Sequence, residues 1–193
     1  MSDISAIHAG PQPELTDGTV TLTALRDTDA PALVTCDNDR QTARWFGWPV
    51  GASTVENTSA FVGLAARRWP EGERATWATR DQASGEPLGT VELNLSDHAH
   101  VNVSYTTFPI ARRRGLAARA VDLACRFAFA HLGVHRVQLL ADAENAASLR
   151  VAAKAGFTRE GVLRDYGSHN AEHRDMVMHS RLATDPDPDR TAL

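Results

Sequence analysis

The apolar residues change their spacing within one short segment of the chain. Residues 100–108, HVNVSYTTF, predict a strand, and Pro109 directly after them predicts its end. Within 115–131 the apolar residues recur at three- and four-residue steps, which predicts an amphipathic helix. Three arginines at 112–114 occupy the turn between them. The chain must therefore form a strand, a positively charged turn and a helix in direct succession.

Strand and helix patterns alternate along the rest of the chain. Ser53 and Glu56 have the spacing of a capping box that begins a helix, and an aromatic loop, RWFGWPVG, precedes them. The predicted strands cover 19–27, 74–80, 88–96, 100–108, 133–142, 158–167 and 174–182, and the predicted helices cover 28–39, 53–69, 115–131 and 145–157. This order predicts a mixed α/β fold with one twisted sheet of about seven strands and helices on both faces.

The composition favours one domain with one core. The chain has 193 residues, of which 42% are hydrophobic, and no Pro-, Gly- or Ser-rich stretch divides it. We expect a domain at 14–184, a flexible segment at 1–13 and a disordered tail at 185–193. The net charge of −4 argues against general binding to nucleic acid or to an anionic membrane.

Cysteine usage and the N-terminal sequence bear on the compartment. Cys36 and Cys125 lack the spacing of a metal site, which predicts two free thiols in a reducing environment. The N-terminus has no basic region followed by an apolar run, and no stretch approaches the ~20 apolar residues of a membrane helix. These features predict a cytoplasmic protein.

The arginine turn has the properties of an anion site. A helix N-terminus presents unpaired N–H groups and the positive end of the helix dipole. Gly115 allows the backbone to approach a bulky ligand, and Ala117 and Ala118 leave the first turn unobstructed. We therefore predict a ligand that carries a phosphate.

Two motifs resemble those of the GCN5-related N-acetyltransferases, the GNAT family. Arg112, Gly115 and Ala117 match its [Q/R]-x-x-G-x-[G/A] pyrophosphate loop. A later stretch is similar to the N-x-x-S…GF-x-x-EG pattern of the ribosomal-protein N-terminal acetyltransferase (RimJ/RimL-like) branch, with Asn145, Ser148, Gly156, Phe157, Glu160 and Gly161 in register. The resemblance implies the GNAT fold, with a mostly antiparallel sheet and a cofactor cleft where predicted strands 4 and 5 splay apart.

The resemblance also implies a reaction and a cofactor site. The reaction is acetyl transfer from acetyl-CoA to a primary amine by direct attack in a ternary complex, without a metal. A backbone N–H at Thr107 or Phe108 is expected to bind the acetyl carbonyl, and Asn145 the pantetheine amides. The expected cofactor-binding residues are Thr107, Phe108, Arg112, Arg113, Arg114, Gly115, Leu116, Ala117, Ala118, Asn145 and Ser148.

Catalytic groups are expected on both sides of this cleft. Glu92, flanked by apolar residues on its strand, is the expected base, although alternation also allows it to face solvent; Glu160 is a second candidate. Many GNAT relatives use a tyrosine as the acid, but Ala152 occupies that position. We therefore expect Ser148 to act on the leaving sulfur, or else to contact the pantetheine chain. Asn145 has a plain helix cap as its alternative role.

The acceptor is expected to bind beside the aromatic loop. Trp45, Phe46 and Trp48 would form one wall, and Tyr166, with His169 and His173 near it, the opposite wall. A protein N-terminal amine is the acceptor that the resemblance favours. The alternatives are a small-molecule amine, such as an aminoglycoside or polyamine, and a coenzyme A-binding module without turnover. A homodimer is left open.

Overall fold

The computed structural model describes residues 8–96, 100–169 and 172–189. Within these residues, eight strands form one sheet in the order β1-β2-β3-β4-β5-β6-β8-β7. Neighbouring strands are antiparallel except β5 and β6, which are parallel. The strands are β1 (Leu15–Thr16), β2 (Val20–Ala24), β3 (Arg74–Asp81), β4 (Pro87–Asn94), β5 (Val101–Thr107), β6 (Arg136–Asp142), β7 (Thr158–His169) and β8 (Glu172–Leu182).

Five α-helices connect these strands within the described residues. They are α1 (Ala30–Asp37), α2 (Arg40–Phe46), α3 (Val55–Arg68), α4 (Leu116–His131) and α5 (Ala146–Lys154), and two short 3₁₀ turns cover Asp27–Asp29 and Pro109–Ala111. The mixed α/β class and the order of the predicted elements are confirmed. The eighth strand is β1, whose two residues are too few to produce a recognisable alternation.

Two local predictions in the aromatic region are wrong. Trp45 and Phe46 form the last turn of α2 and not a loop, because Asp39 caps this helix and Gly47, at φ 71°, ends it. Helix α3 begins with a capping box of Thr54 and Asn57, one residue later than the predicted pair. Both errors come from short polar residues that offer several alternative caps in one stretch.

The main core lies between the sheet and α4. The apolar face predicted for α4 is buried, and Phe127 on it packs edge-on against Trp77 of β3, with ring centroids 5.6 Å apart. Such an aromatic pair contributes about 0.5–1.5 kcal/mol beyond its buried area. Alternation places Val91 and Leu93 of β4 in the same core. The core therefore fixes α4, and with it the charged turn that precedes the helix.

The described part of the segment before β1, residues 8–13, contacts the rest of the domain. His8 is buried, and the indole N–H groups of Trp69 and Trp77 donate to the carbonyls of Gly10 and Pro13 at 2.9 and 2.8 Å. At the other end, Asp187 accepts a hydrogen bond from buried Arg181 at 3.1 Å. These bonds hold Gly10, Pro13 and Asp187 to the domain. The domain limits, the flexible first segment and the disordered tail stay predictions.

Strands β5 and β6 separate soon after they meet. Their parallel pairs are Val101 with Val137 and Asn102 with Gln138. Beyond these pairs β5 continues to Thr107 beside β4, while β6 continues to Asp142 beside β8. The predicted cleft between these two strands is therefore present. In the described part of the chain, no helix has the length and apolar character needed to cross a membrane.

Candidate active site

A cleft of about 800 Å³ opens where β5 and β6 part. The turn before α4 and the start of α5 form its sides, and α2 lies at its edge. Most of the predicted cofactor residues meet here, together with part of the predicted acceptor wall. The predicted residues that line the cleft are Trp45, Phe46, Thr107, Arg112, Arg113, Gly115, Leu116, Ala117, Ala118, Asn145 and Ser148.

The turn before α4 is shaped as an anion site. Arg113 and Gly115 both have left-handed backbones, at φ 66° and 76°, and Gly115 is the N-cap of α4. Gly115 has no side chain to cap this helix. Among the described residues the N–H groups of Leu116 and Ala117 have no partner and are open to a ligand, whereas the Ala118 N–H donates to the Gly115 carbonyl at 3.1 Å. Leu116 is buried and holds the turn on the core. This geometry fits the pyrophosphate of coenzyme A.

The three arginines of the turn have different roles. Arg112 points to the start of α2, where its guanidinium donates to Asp39 at 2.5 Å and to Thr42 at 2.9 Å. Arg114 lies outside the cleft lining and is 3.5 Å from Asp81. Arg113 lines the cleft, and the described residues offer it no ion-pair partner. All three arginines were predicted to bind the cofactor. Of these, Arg113 is the best placed for a phosphate.

Phe108 does not fit its predicted role. Its side chain is buried in a small cluster with Leu33, Cys36 and Val62, away from the cleft lining. Its backbone N–H donates to the Leu88 carbonyl at 2.9 Å, so that group is not free to bind an acetyl oxygen. Thr107, one residue earlier, does line the cleft.

Glu92 is bound to its neighbours on the sheet. Its carboxylate accepts hydrogen bonds from Arg74 at 2.5 Å and from Thr76 at 2.9 Å, and it lies outside the cleft lining. This geometry does not support Glu92 as the base. Glu160 is similarly engaged with Arg136 and Ser180, and these hydrogen bonds lower its pKa to about 2. Both carboxylates have structural partners that the sequence pattern does not reveal.

The start of α5 brings two polar residues into the cleft. The Asn145 side chain accepts a hydrogen bond from the backbone N–H of Ser148 at 3.1 Å, which is the helix-cap role held as its alternative. The side-chain oxygen of Ser148 accepts a separate hydrogen bond, at 2.9 Å, from the hydroxyl of Tyr105 on β5. Burial raises the pKa of Tyr105 to about 12. Ala152, where many relatives have tyrosine, is fully buried.

Sequence reasoning missed Tyr105. The chain has two tyrosines, and the motif pattern directed attention to Tyr166. A signal was nevertheless present. Alternation along β5 puts Tyr105 on the same face as Val101 and Val103, in the strand predicted to border the cleft.

The predicted acceptor wall is only partly assembled. Trp45 and Phe46 line the cleft, whereas Trp48 lies outside its lining and stacks on Phe46 with centroids 4.5 Å apart. Tyr166 is exposed on β7 and does not reach the cleft. His173 is also exposed, and the side chain of His169 lies outside the described residues. Met176 of β8, and not Tyr166, lines the cleft.

Trp45 has an unusual environment at the edge of the cleft. The guanidinium of Arg44 lies over its ring, 4.7 Å from the centroid. Its Nε1 atom is buried and has no acceptor among the described residues. Arg44 also pairs with Glu144 at 3.1 Å, so an ion pair connects α2 to the loop after β6.

Comparison with known proteins gives a family match and several similar proteins. The family description "Acetyltransferase (GNAT) domain" matches residues 19–158. The uncharacterized N-acetyltransferase YoaA of Bacillus subtilis (strain 168) is 26% identical over 161 residues, which cover 82% of this chain and 90% of the relative. A spermidine N(1)-acetyltransferase of Escherichia coli (strain K12) is 30% identical over 119 residues, covering 58% and 64%.

One solved structure illustrates the similarity of fold. A ribosomal-protein-S5-alanine acetyltransferase from Vibrio fischeri superposes with a TM-score of 0.78 at 19% identity, over 91% of this chain and 100% of the other. At this identity the likeness concerns the fold. Together, the relatives include proteins named for a polyamine and for a ribosomal protein.

Proposed function

The chain belongs to the GNAT acetyltransferase family and is an acetyl-CoA-dependent N-acetyltransferase; we propose that its acceptor is the N-terminal amine of a protein or peptide. The cleft gives the donor's pyrophosphate a helix N-terminus and Arg113. A neutral amine then attacks the thioester carbonyl, and the N-terminus of α5 favours the anionic sulfur that leaves.

The Trp45 indole N–H is the observation that supports a peptide acceptor. An indole nitrogen only donates, and a buried donor without an acceptor costs about 1–3 kcal/mol. Because Nε1 of Trp45 is buried beside the cleft and the described residues give it no acceptor, a ligand with an oxygen would relieve this cost. A peptide has a carbonyl next to its amine, whereas a protonated polyamine has donors alone.

The charges at this end of the cleft support the same choice. A polyamine is recognised through carboxylates that complement its positive charges. Here the carboxylates are already paired: Asp39 with Arg112, Asp142 with Arg174, and Glu144 with both Arg44 and Arg174. A polycation would have to displace arginines to reach them.

A polyamine is the second candidate acceptor. It is favoured by the 30% identity to a protein named as a spermidine acetyltransferase. That match covers 58% of the chain, so part of the present cleft falls outside the comparison.

The test is a coenzyme A release assay with matched acceptors. The assay compares kcat/KM for four acceptors: a peptide with a free N-terminus, the same peptide with a blocked N-terminus and an internal lysine, spermidine, and an aminoglycoside. A reaction without an amine is the control. We expect the free N-terminus to be the best acceptor. A higher value for spermidine would overturn the proposed acceptor, and coenzyme A binding without amine-dependent release would identify a non-catalytic module.

The same assay is repeated with the variant Trp45→Phe. This variant keeps an aromatic ring, although a smaller one, and removes the N–H, so KM for the peptide should rise three- to tenfold, about 0.7–1.4 kcal/mol. Activity with spermidine, which offers no oxygen, should not change. Trp48→Phe is the matched control because Trp48 is two-fifths exposed and lies outside the cleft lining. An equal effect of both variants would contradict the assigned donor.

A further inference from the structure

Two hydroxyl groups meet across the splayed part of the cleft. Tyr105 belongs to β5, and Ser148 belongs to the first turn of α5, which follows β6. The Tyr105 hydroxyl donates to Ser148 Oγ at 2.9 Å. Since β5 and β6 pair at Val101 and Asn102, this hydrogen bond spans the strands after they have separated. Both residues line the cleft, so the pair lies within the site where the acyl donor binds.

The direction of this hydrogen bond determines what Ser148 can do. Burial keeps the Tyr105 phenol protonated through neutral and mildly alkaline pH, so it remains a donor. Ser148 Oγ accepts from it, and the described residues provide no acceptor for the hydrogen of the serine itself. That hydrogen is therefore available to a group in the cleft. Asn145 fixes the backbone of Ser148 through the helix cap, which leaves the hydroxyl orientation to Tyr105.

We propose that Tyr105 is a positioning residue, which orients the Ser148 hydroxyl to donate its hydrogen to the sulfur of the leaving coenzyme A. This inference rests on acetyl transfer and not on which amine is the acceptor. Ser148 lies at the N-terminus of α5, where the helix dipole also favours a thiolate. The two effects act on the same negative charge as it develops.

The proton and electron balance of the step is simple. The amine nitrogen forms a bond to the thioester carbonyl carbon, and the carbon–sulfur bond then breaks with its electron pair on sulfur. Ser148 passes its hydrogen to the sulfur and regains one from the ammonium nitrogen, directly or through water. The nitrogen has lost one proton and the sulfur has gained it, nothing is oxidised or reduced, and Tyr105 keeps its own proton throughout.

A double-mutant cycle tests the coupling between the two hydroxyls. Ser148→Ala should lower kcat by about 10²-fold, as the loss of a proton-transfer group does. Tyr105→Phe, which removes one oxygen from a packed ring, should lower kcat about tenfold. The double variant should equal Ser148→Ala alone, because Tyr105 acts through the serine. The dissociation constant of coenzyme A should stay within about threefold in all three, under ~0.7 kcal/mol.

A second readout does not depend on turnover or on the acceptor. The pKa of the thiol in bound coenzyme A is measured from the ultraviolet absorbance of the thiolate during a pH titration. A hydrogen bond to the thiolate lowers that pKa, so Tyr105→Phe and Ser148→Ala should both raise it. This measurement separates failure of the present inference from failure of the proposed acceptor, since no amine is added.

Thr90→Val is the matched control variant. Thr90 on β4 shares a hydroxyl contact of 2.7 Å with Thr106 of β5, so this variant removes a similar bond to the same strand without involving Ser148. It should leave kcat and the bound thiol pKa unchanged. The inference is overturned if Tyr105→Phe retains wild-type kcat and thiol pKa, or if its loss is undiminished when Ser148 is already alanine.

Discussion

At Gly115 the backbone has a φ of 76° at the N-cap of α4, a conformation that is strained for residues with a Cβ. Gly115→Asp adds bulk and negative charge where the pyrophosphate is expected to bind. Coenzyme A affinity, measured by calorimetry, should fall at least tenfold, about 1.4 kcal/mol. Gly115→Asn is the control, because asparagine tolerates this conformation and has the same size without the charge. Equal affinities of a folded Asp variant and the wild type would refute the phosphate site.

At the scale of elements, Arg112 joins the phosphate turn to α2. The Asp39 carboxylate caps α2 by accepting from the Thr42 N–H at 3.0 Å, and the same oxygen accepts from Arg112. Hydrogen bonding from Arg112 lowers the pKa of Asp39. The contact is therefore fully formed above the ordinary aspartate pKa and is lost as the pH falls through the lowered value. Kinetics between pH 6 and 9 should show no Asp39 titration.

Asp39→Asn separates the cap from the ion pair, since asparagine is an equally good cap. Without the ion pair, α2 and its Trp45 are held less firmly to the turn. The acceptor KM should rise three- to fivefold, in keeping with about 1 kcal/mol for a partly exposed pair, while coenzyme A affinity does not weaken. Steady-state kinetics with both substrates varied checks this. A rise in the dissociation constant of coenzyme A alone would show that the contact serves the cofactor site instead.

At the scale of the whole molecule, a buried ion pair joins α4 to β8. Arg181 of β8 donates to Asp122 of α4 at 2.7 Å, and both side chains are almost fully buried. Arg181 also donates to the Ala155 carbonyl at 3.1 Å. Removing Asp122 leaves the charge of buried Arg181 to Asp187, whose side chain is mostly exposed and compensates that charge only in part. Asp122→Ala should therefore lower the free energy of unfolding by about 3–5 kcal/mol in urea titrations.

Glu160→Gln provides the comparison for Asp122→Ala. Glu160 pairs with Arg136 at the surface, so its loss should cost about 1 kcal/mol or less. Because its pKa is lowered to about 2, this contribution is present above the ordinary glutamate value of 4.5 and is lost as the pH falls towards 2. The two variants should thus differ clearly at pH 7. A cost below 1 kcal/mol for Asp122→Ala would mean that water or a neighbour compensates Arg181.

The sequence by itself determined the order of the elements other than β1 and α2, the α4 core face and the charged turn. These features depend on local physics: apolar spacing reports which face of a helix or strand is buried, and a glycine at a helix start reports an open N-terminus. The family motifs are equally local, since the phosphate turn and the start of α5 each lie within one short stretch. For this reason Arg113, Gly115, Asn145 and Ser148 could be placed in the cleft from sequence.

The tertiary structure alone decided which side chains are free to act. Tyr105 meets Ser148, and Arg112 meets Asp39, only because strand register and the separation of β5 from β6 bring distant segments together. The strand register also places Arg74 and Thr76 beside Glu92, and their hydrogen bonds hold the Glu92 carboxylate away from the cleft. Tyr166 lies exposed on the edge strand β7. Alternation specifies a face of the sheet, but the partner of a side chain on that face is set by the neighbouring strand.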